Sequence, residues 1–159
     1  MKIDILCVGK IKEAYLREGI GEYEKRLSRY CDLHIYEATD EKTPENAGEK
    51  EREQILAKEA ERLEKLIVPD AHQIALAIEG RSFSSEALSL KLDDLKVGGV
   101  SHIQFIIGGS LGLYASILDK ADLKLSFSQM TFPHQLMRLI LLEQIYRSFR
   151  ISRNEPYHK

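Results

Sequence analysis

The sequence predicts an α/β fold: a mainly parallel sheet with helices on both faces. Strand-like and helix-like segments alternate along the chain. Two of the strand-like segments, "QIALAIEG" and "HIQFIIGG", are almost unbroken apolar runs, as strands covered on both faces require. The chain has 159 residues and no internal repeat, so residues 1–159 are read as one domain.

The elements follow in order. Lys2 to Val8 alternates and is rich in β-formers, and Gly9 ends it. Although short and apolar, this start is interrupted by Asp4 and reads as a first strand, not a signal peptide. From Lys12 to Tyr30 the residues Leu16, Ile20, Tyr23, Leu27 and Tyr30 recur at helical spacing, a stripe flawed by Gly19 and Gly21. "DLHIYEA" is a second strand, and Thr39 to Asn46 is a loop. Residues 47–67 form a charged helix with a narrow stripe of Ile55, Ala60, Leu63 and Ile67, its polar face solvated. Gln73 to Gly80 is the third strand. Ser84 is placed to cap the next helix, with Phe83 and Leu88 as a hydrophobic staple, and that helix runs to Leu95. A fourth strand, "HIQFIIGG", precedes a short helix near Tyr114 to Lys120. "LKLSF" is a fifth strand, and a last helix runs from Pro133 to about Arg153 before the tail "NEPYHK".

That last helix is apolar nearly all round. Between Leu136 and Leu142 only Arg138 is not large and apolar. A surface helix needs one apolar stripe, so this one is expected at the interface of a homodimer, the other reading being a central helix in a monomer.

Composition excludes several classes. No apolar run approaches the ~20 residues of a membrane span. Cys7 and Cys31 form neither a disulfide framework nor a zinc set and read as buried thiols of a cytoplasmic protein. Net charge is −2, with eleven acidic and six basic residues from Glu37 to Asp70 but five basic and two acidic from His134 to Lys159. Such a weakly basic end reads either as ordinary helix-surface charge or as a contact for phosphates, one that would hold naked RNA poorly. The five histidines show no metal-binding spacing, and no G-x-S-x-G occurs.

One constellation carries chemistry. "FIIGGSLG" runs from a strand into glycines before a helix, which alone reads either as a plain turn or as a place where backbone approaches a ligand. Its spacing is G-G-x-x-G, without the acidic residue or the G-K-[ST] that would mark a dinucleotide or triphosphate site. Three strand ends, "ALAIEG", "FIIGGS" and "LSFSQM", share one rim if their strands are adjacent, and ligands of open parallel sheets sit beyond such ends. The rim would bring together Leu76, Gly108 and the turn from Phe127 to Phe132, with apolar walls suited to a flat heterocycle. His134, behind Pro133, reads as a packing or capping residue ahead of a catalytic one. The tail "PYHK" reads as a disordered end or as an aromatic, an imidazole and a cation kept together.

"IGGSLG", "LSFSQMTFPHQLMRLILLEQIYRSFRI" and the terminal "YHK", with "ILCVGKIKEAY" and "YEKRL", resemble the RlmH family of SPOUT methyltransferases over essentially the whole chain. The resemblance implies an S-adenosylmethionine-dependent enzyme that methylates N3 of a pseudouridine in 23S ribosomal RNA of the assembled ribosome, without DNA or a membrane as partner. It also implies a homodimer and a C-terminal trefoil knot, which general topology rules disfavour. Its cofactor positions fall on Leu76, Gly108, Phe127, Ser128, Gln129, Met130, Thr131 and Phe132. Its substrate and catalytic end falls on Tyr157, His158 and Lys159, where some relatives end in arginine. No metal is implied. The other readings are a nucleotide-binding α/β protein that uses "IGGSLG" for phosphate and a ribosome-binding module without activity.

Overall fold

In the computed structural model, which describes residues 1–159, the chain folds as β1 (Lys2–Val8), α1 (Ala14–Leu27), β2 (Asp32–Ala38), α2 (Glu49–Glu64), β3 (His72–Ser82), α3 (Ser85–Val97), β4 (His102–Ile107), α4 (Ala115–Lys120), β5 (Leu123–Ser126) and α5 (His134–Ser152). The strands form one sheet in the order β2-β1-β4-β3-β5. Every pairing is parallel, so the expected mainly parallel sheet is wholly so.

Alternation along β1 shows why both faces are covered. Ile3, Ile5 and Cys7 enter a core shared with Leu16, Leu27, Leu92 and Leu141 of α1, α3 and α5. Leu6 and Val8 enter a smaller one with Ala60 and Leu63 of α2 and Ile117 of α4. Ser84 caps α3 as expected, its Oγ accepting from the Ala87 amide at 3.1 Å. Gly19, a flaw in the α1 stripe, is where α5 comes close: a Cβ there would lie 3.0 Å from a Leu139 methyl. Burial pushes the Cys7 thiol up to about 12 and the half-buried Cys31 thiol to about 11, so both stay protonated and inert.

Helix α5 packs on α1, α3 and β4. Leu141, Leu142 and Ile145 are fully buried there, each contributing roughly 1.5–3 kcal/mol. Much of its all-round apolarity is therefore used within the chain, while Leu136, Met137, Leu139 and Ile140 remain half-buried. Arg138, the exception in that run, is also buried, only 3% exposed. Its guanidinium donates to Glu37 Oε1 of β2 and, at 3.0 Å, to the carbonyl of Gly9. One side chain thus ties α5 to the carboxyl ends of β1 and β2.

The polar face of α2, with Glu61 and Lys65, is exposed as expected, but its apolar stripe contains a buried acid between Ile55 and Leu63. Glu59 is 4% exposed and its Oε2 has no hydrogen-bond partner. It lies against the turn after β4: a Cβ on Gly109 would stand 2.8 Å from Oε2. Burial raises the Glu59 pKa to about 7 and the nearby Asp40 charge adds to this, while the Glu41 backbone and the Arg62 charge oppose it.

Two outcomes follow. Arg138→Met keeps the apolar stem but leaves the Gly9 carbonyl without its donor, while the partly exposed Glu37 regains water; unfolding should show a loss of about 2–3 kcal/mol. Equal stability of the variant would remove Arg138 as a tie. For Glu59, the folded state holds the proton more tightly than the unfolded chain. Below the ordinary value of 4.5 neither state is penalised, stability falls as pH rises from 4.5 to about 7, and the penalty is constant above that. Glu59→Gln should therefore gain about 2–3 kcal/mol relative to the parent between pH 5 and pH 8; a pH-independent difference would contradict it.

Candidate active site

The site is created by a break in the sheet ladder. Leu125 of β5 pairs with Leu76 of β3 and again with Arg81, so residues 77–80 leave the ladder and return. Gly80 makes the return possible, because a Cβ there would sit 2.7 Å from the Lys124 backbone. The expectation that "QIALAIEG" is covered on both faces holds only for its first half. Ile74 and Ala75 are fully buried, whereas Ile78 is 49% exposed. The outward segment becomes a wall.

Strands β4, β3 and β5 are consecutive in the sheet, so the three strand ends do share a rim. Beyond them lies a crevice of about 710 Å³. Leu76, Gly108, Phe127, Ser128, Met130, Thr131 and Phe132 line it, and Gln129 falls outside the lining. After β4 the chain folds back on itself: Gly109 pairs with Gly112, and a Cβ on Gly108 would lie 2.2 Å from the Gly112 carbonyl oxygen. Only glycine at 108 permits that turn. The turn after β5 is held locally, with Ser128 Oγ accepting from the Met130 amide at 3.0 Å and Ser126 Oγ donating to the Ser128 carbonyl at 3.2 Å. "SFSQMTFPHQLMR" is thus both the passage from β5 to α5 and one wall of the crevice.

The lining contains no lysine or arginine, and Glu79 is its one charged side chain. His134 is also there, close against Gly9 and Asp40. Burial, then the Arg138 charge, lowers its pKa, which keeps the ring neutral at neutral pH. The crevice offers apolar walls and backbone groups to a flat heterocycle, tolerates a cationic ligand, and has no cation for a polyphosphate.

The three tail residues do not line this crevice. Tyr157 lies across the middle of α5, its hydroxyl donating to Glu143 Oε1 at 3.0 Å and meeting the Tyr23 hydroxyl at 3.3 Å. Its ring packs edge-on against Tyr146, and the Arg147 guanidinium stands over it, 4.7 Å from the ring centre. Burial first, then these hydrogen bonds, pushes the phenol pKa up, so it is a donor and not a base. His158 Nδ1 accepts from Arg147 at 3.1 Å, which leaves Nε2 to donate to Glu86 Oε1 at 2.7 Å. The Glu86 backbone amide, then His158, holds the Glu86 carboxyl down at about 2. Lys159 is exposed. The tail is therefore docked, not loose. Sequence reasoning missed Glu143 and Arg147, the anchors of this docking. Their i,i+4 spacing on an otherwise apolar helix was the available signal.

The family described as "Predicted SPOUT methyltransferase" matches residues 1–158. A protein of Bifidobacterium adolescentis described as ribosomal RNA large subunit methyltransferase H is 62% identical over the whole of both chains. One of Streptococcus equi subsp. zooepidemicus with the same description is 55% identical, again over the whole of both. The crystal structure of a probable methyltransferase from Bordetella pertussis Tohama I superposes with a TM-score of 0.56 over 92% of this chain and 95% of that one, at 10% identity, a likeness of fold alone. With a match along nearly its entire length, the chain belongs to the SPOUT methyltransferase family.

Proposed function

We propose that the chain methylates ribosomal RNA of the large subunit, at N3 of a pseudouridine in 23S RNA, with S-adenosylmethionine as donor. The observation that carries this reading is the crevice at the ends of β4, β3 and β5, walled by apolar groups and free of lysine and arginine. Its volume is that of a small-molecule site. Leu76, Phe127 and Phe132 would flank the heterocycle, and the turns at Gly108 and at residues 128–131 would meet its polar edge with backbone groups. The relatives named for this activity support the choice of RNA. The lack of a cation disfavours a phosphate-binding role for "IGGSLG".

S-adenosylmethionine supplies, when bound, an electrophilic methyl group on a positively charged sulfur. The side chains of the chain supply position, which in favourable cases is worth ~7–11 kcal/mol. The imide N3 carries a proton that must leave, and we assign its removal or the holding of the base to His158, with Tyr157 stacking on the nucleotide and Lys159 meeting a phosphate. Within one chain the tail sits on Glu143 and Arg147, about 9 Å or more along α5 from Met137, the last residue of that helix in the crevice lining. We therefore propose a homodimer in which the tail of one protomer serves the crevice of its partner. The half-buried Leu136 and Ile140 are available for that contact. The knotted C-terminal half and a cytoplasmic location belong to the same reading. No helix is long and apolar enough to cross a membrane.

Removing Tyr157, His158 and Lys159 should leave donor binding by calorimetry within about two-fold and lower methyl transfer at least ~100-fold. Full activity of the truncated chain would strip the tail of its role. Whole ribosomes should be methylated much faster than a short transcript, because the net charge of −2 leaves little attraction for naked RNA. Equal rates on both would refute a need for the assembled particle.

A further inference from the structure

A second concavity, of about 450 Å³, lies between the end of α1 and the second half of α5. Its lining contains Lys25, Arg26, Arg29 and Arg150 against one acid, Glu22, and the aromatic rings of Tyr30 and Tyr146. Arg153 adds a fifth cation beside it, 4.6 Å over the Tyr30 ring. In a chain whose net charge is −2 this is a local excess of positive charge.

The cations are held in place. Arg26 stands 5.3 Å from the ring centre of Tyr23 and 5.7 Å from that of Tyr146, and Arg150 stands 5.8 Å from Tyr146. Rings under guanidinium groups fix their direction without neutralising them. Arg26 and Arg150 each have an acid, Glu22 and Glu155, but Lys25 and Arg29 have no ion pair or side-chain hydrogen bond. The Nε–H of Arg150 is buried and finds no acceptor in the chain. Like charges gathered at one cleft raise each other's energy until an anion joins them.

The rings themselves are used up. Tyr30 stacks on Phe149, and Tyr146 is surrounded by Tyr23, Tyr30 and Tyr157 in edge contacts. No aromatic face is free for a base, so the cleft suits a phosphate backbone and not base readout. It is also continuous with the docked tail: Arg150 donates to the Pro156 carbonyl at 2.8 Å, and Tyr157 packs on Tyr146.

We propose that the Lys25–Arg29–Arg150 cleft binds the phosphate backbone of the RNA that carries the target nucleotide, holding it beside the tail. This rests on the RNA-methylating reading above and adds where the RNA is gripped.

The test is the double variant Lys25→Glu with Arg29→Glu, both exposed and unpaired, with Lys50→Glu plus Lys96→Glu as a charge-matched control elsewhere. Binding to purified large ribosomal subunits is measured by co-sedimentation across a salt series, alongside methyl-transfer kinetics. The cleft variant should bind roughly ten-fold more weakly, with a salt slope lower by about two, one per lost phosphate contact. Its KM for subunits should rise in step, while kcat and the donor affinity stay unchanged and the control behaves as the parent. An unchanged affinity and slope, an equal loss in the control, or a changed oligomeric state in the cleft variant would each overturn the proposal. If the parent transfers no methyl group to RNA, the activity reading fails, and the co-sedimentation arm still decides on the cleft.

Discussion

A parallel strand normally offers its neighbour one continuous ladder, and the active crevice exists because β3 does not. It pairs with β5 through Leu76, departs for residues 77–80, and rejoins the same Leu125 at Arg81. The excursion takes apolar residues that would otherwise be core and turns them into a wall, at the cost of exposing Ile78. It is tolerable only because Gly80 lets two backbones touch. The turn after β4 faces this wall, and the turn after β5 closes it, so three loops far apart in sequence enclose one volume. Without the double pairing of Leu125, the strand ends would form a flat sheet edge.

Two buried charged residues stand behind that arrangement. Arg138 ties α5 to Gly9 and Glu37, and Glu59 abuts the Gly109 turn. They differ in how they meet the cost of burial. Arg138 is met by a carboxylate and a carbonyl that accept from it, whereas Glu59, with one oxygen unpartnered and Asp40 nearby, binds its proton more tightly, its pKa raised to about 7. Positive charge is placed elsewhere, around the α1–α5 cleft, so the same small chain presents one apolar concavity without lysine or arginine and a second lined by cations.

Most of the architecture was legible because it is local. β1 and β2 lie within the limits read from alternation, Ser84 caps α3, and α5 begins directly after Pro133. The rim was legible as well, since a strand followed by glycine and another followed by a turn into a helix are patterns of a few residues. What escaped was set by contacts distant in sequence. Nothing in "QIALAIEG" marks where β5 will pair twice, so its second half read as buried strand. Glu59 looks like one more charge of a polar helix until Gly109 is seen against it. The tail stayed open between a loose end and a kept cluster because Tyr23, Glu86, Glu143 and Arg147, which dock it, come from three helices.

The docking of the tail is firm enough to order it and weak enough to yield. The His158–Glu86 pair is partly exposed, at 29% and 57%, and solvent screening makes pairs of that kind weak. The Tyr157 hydroxyl bond to Glu143, at 3.0 Å, contributes ~1 kcal/mol net, and the 3.3 Å contact with the Tyr23 hydroxyl is long and adds less. Burial of the Tyr157 ring against Tyr146 is the larger part, and a stacked nucleotide base or a partner surface can replace it with similar apolar contact. Both imidazole nitrogens are engaged while the tail is docked, Nδ1 by Arg147 and Nε2 by Glu86. A histidine in that state has no free lone pair with which to take a proton. If His158 accepts the N3 proton, at least one of those two bonds must be exchanged first, and the modest strength of the contacts makes that exchange cheap.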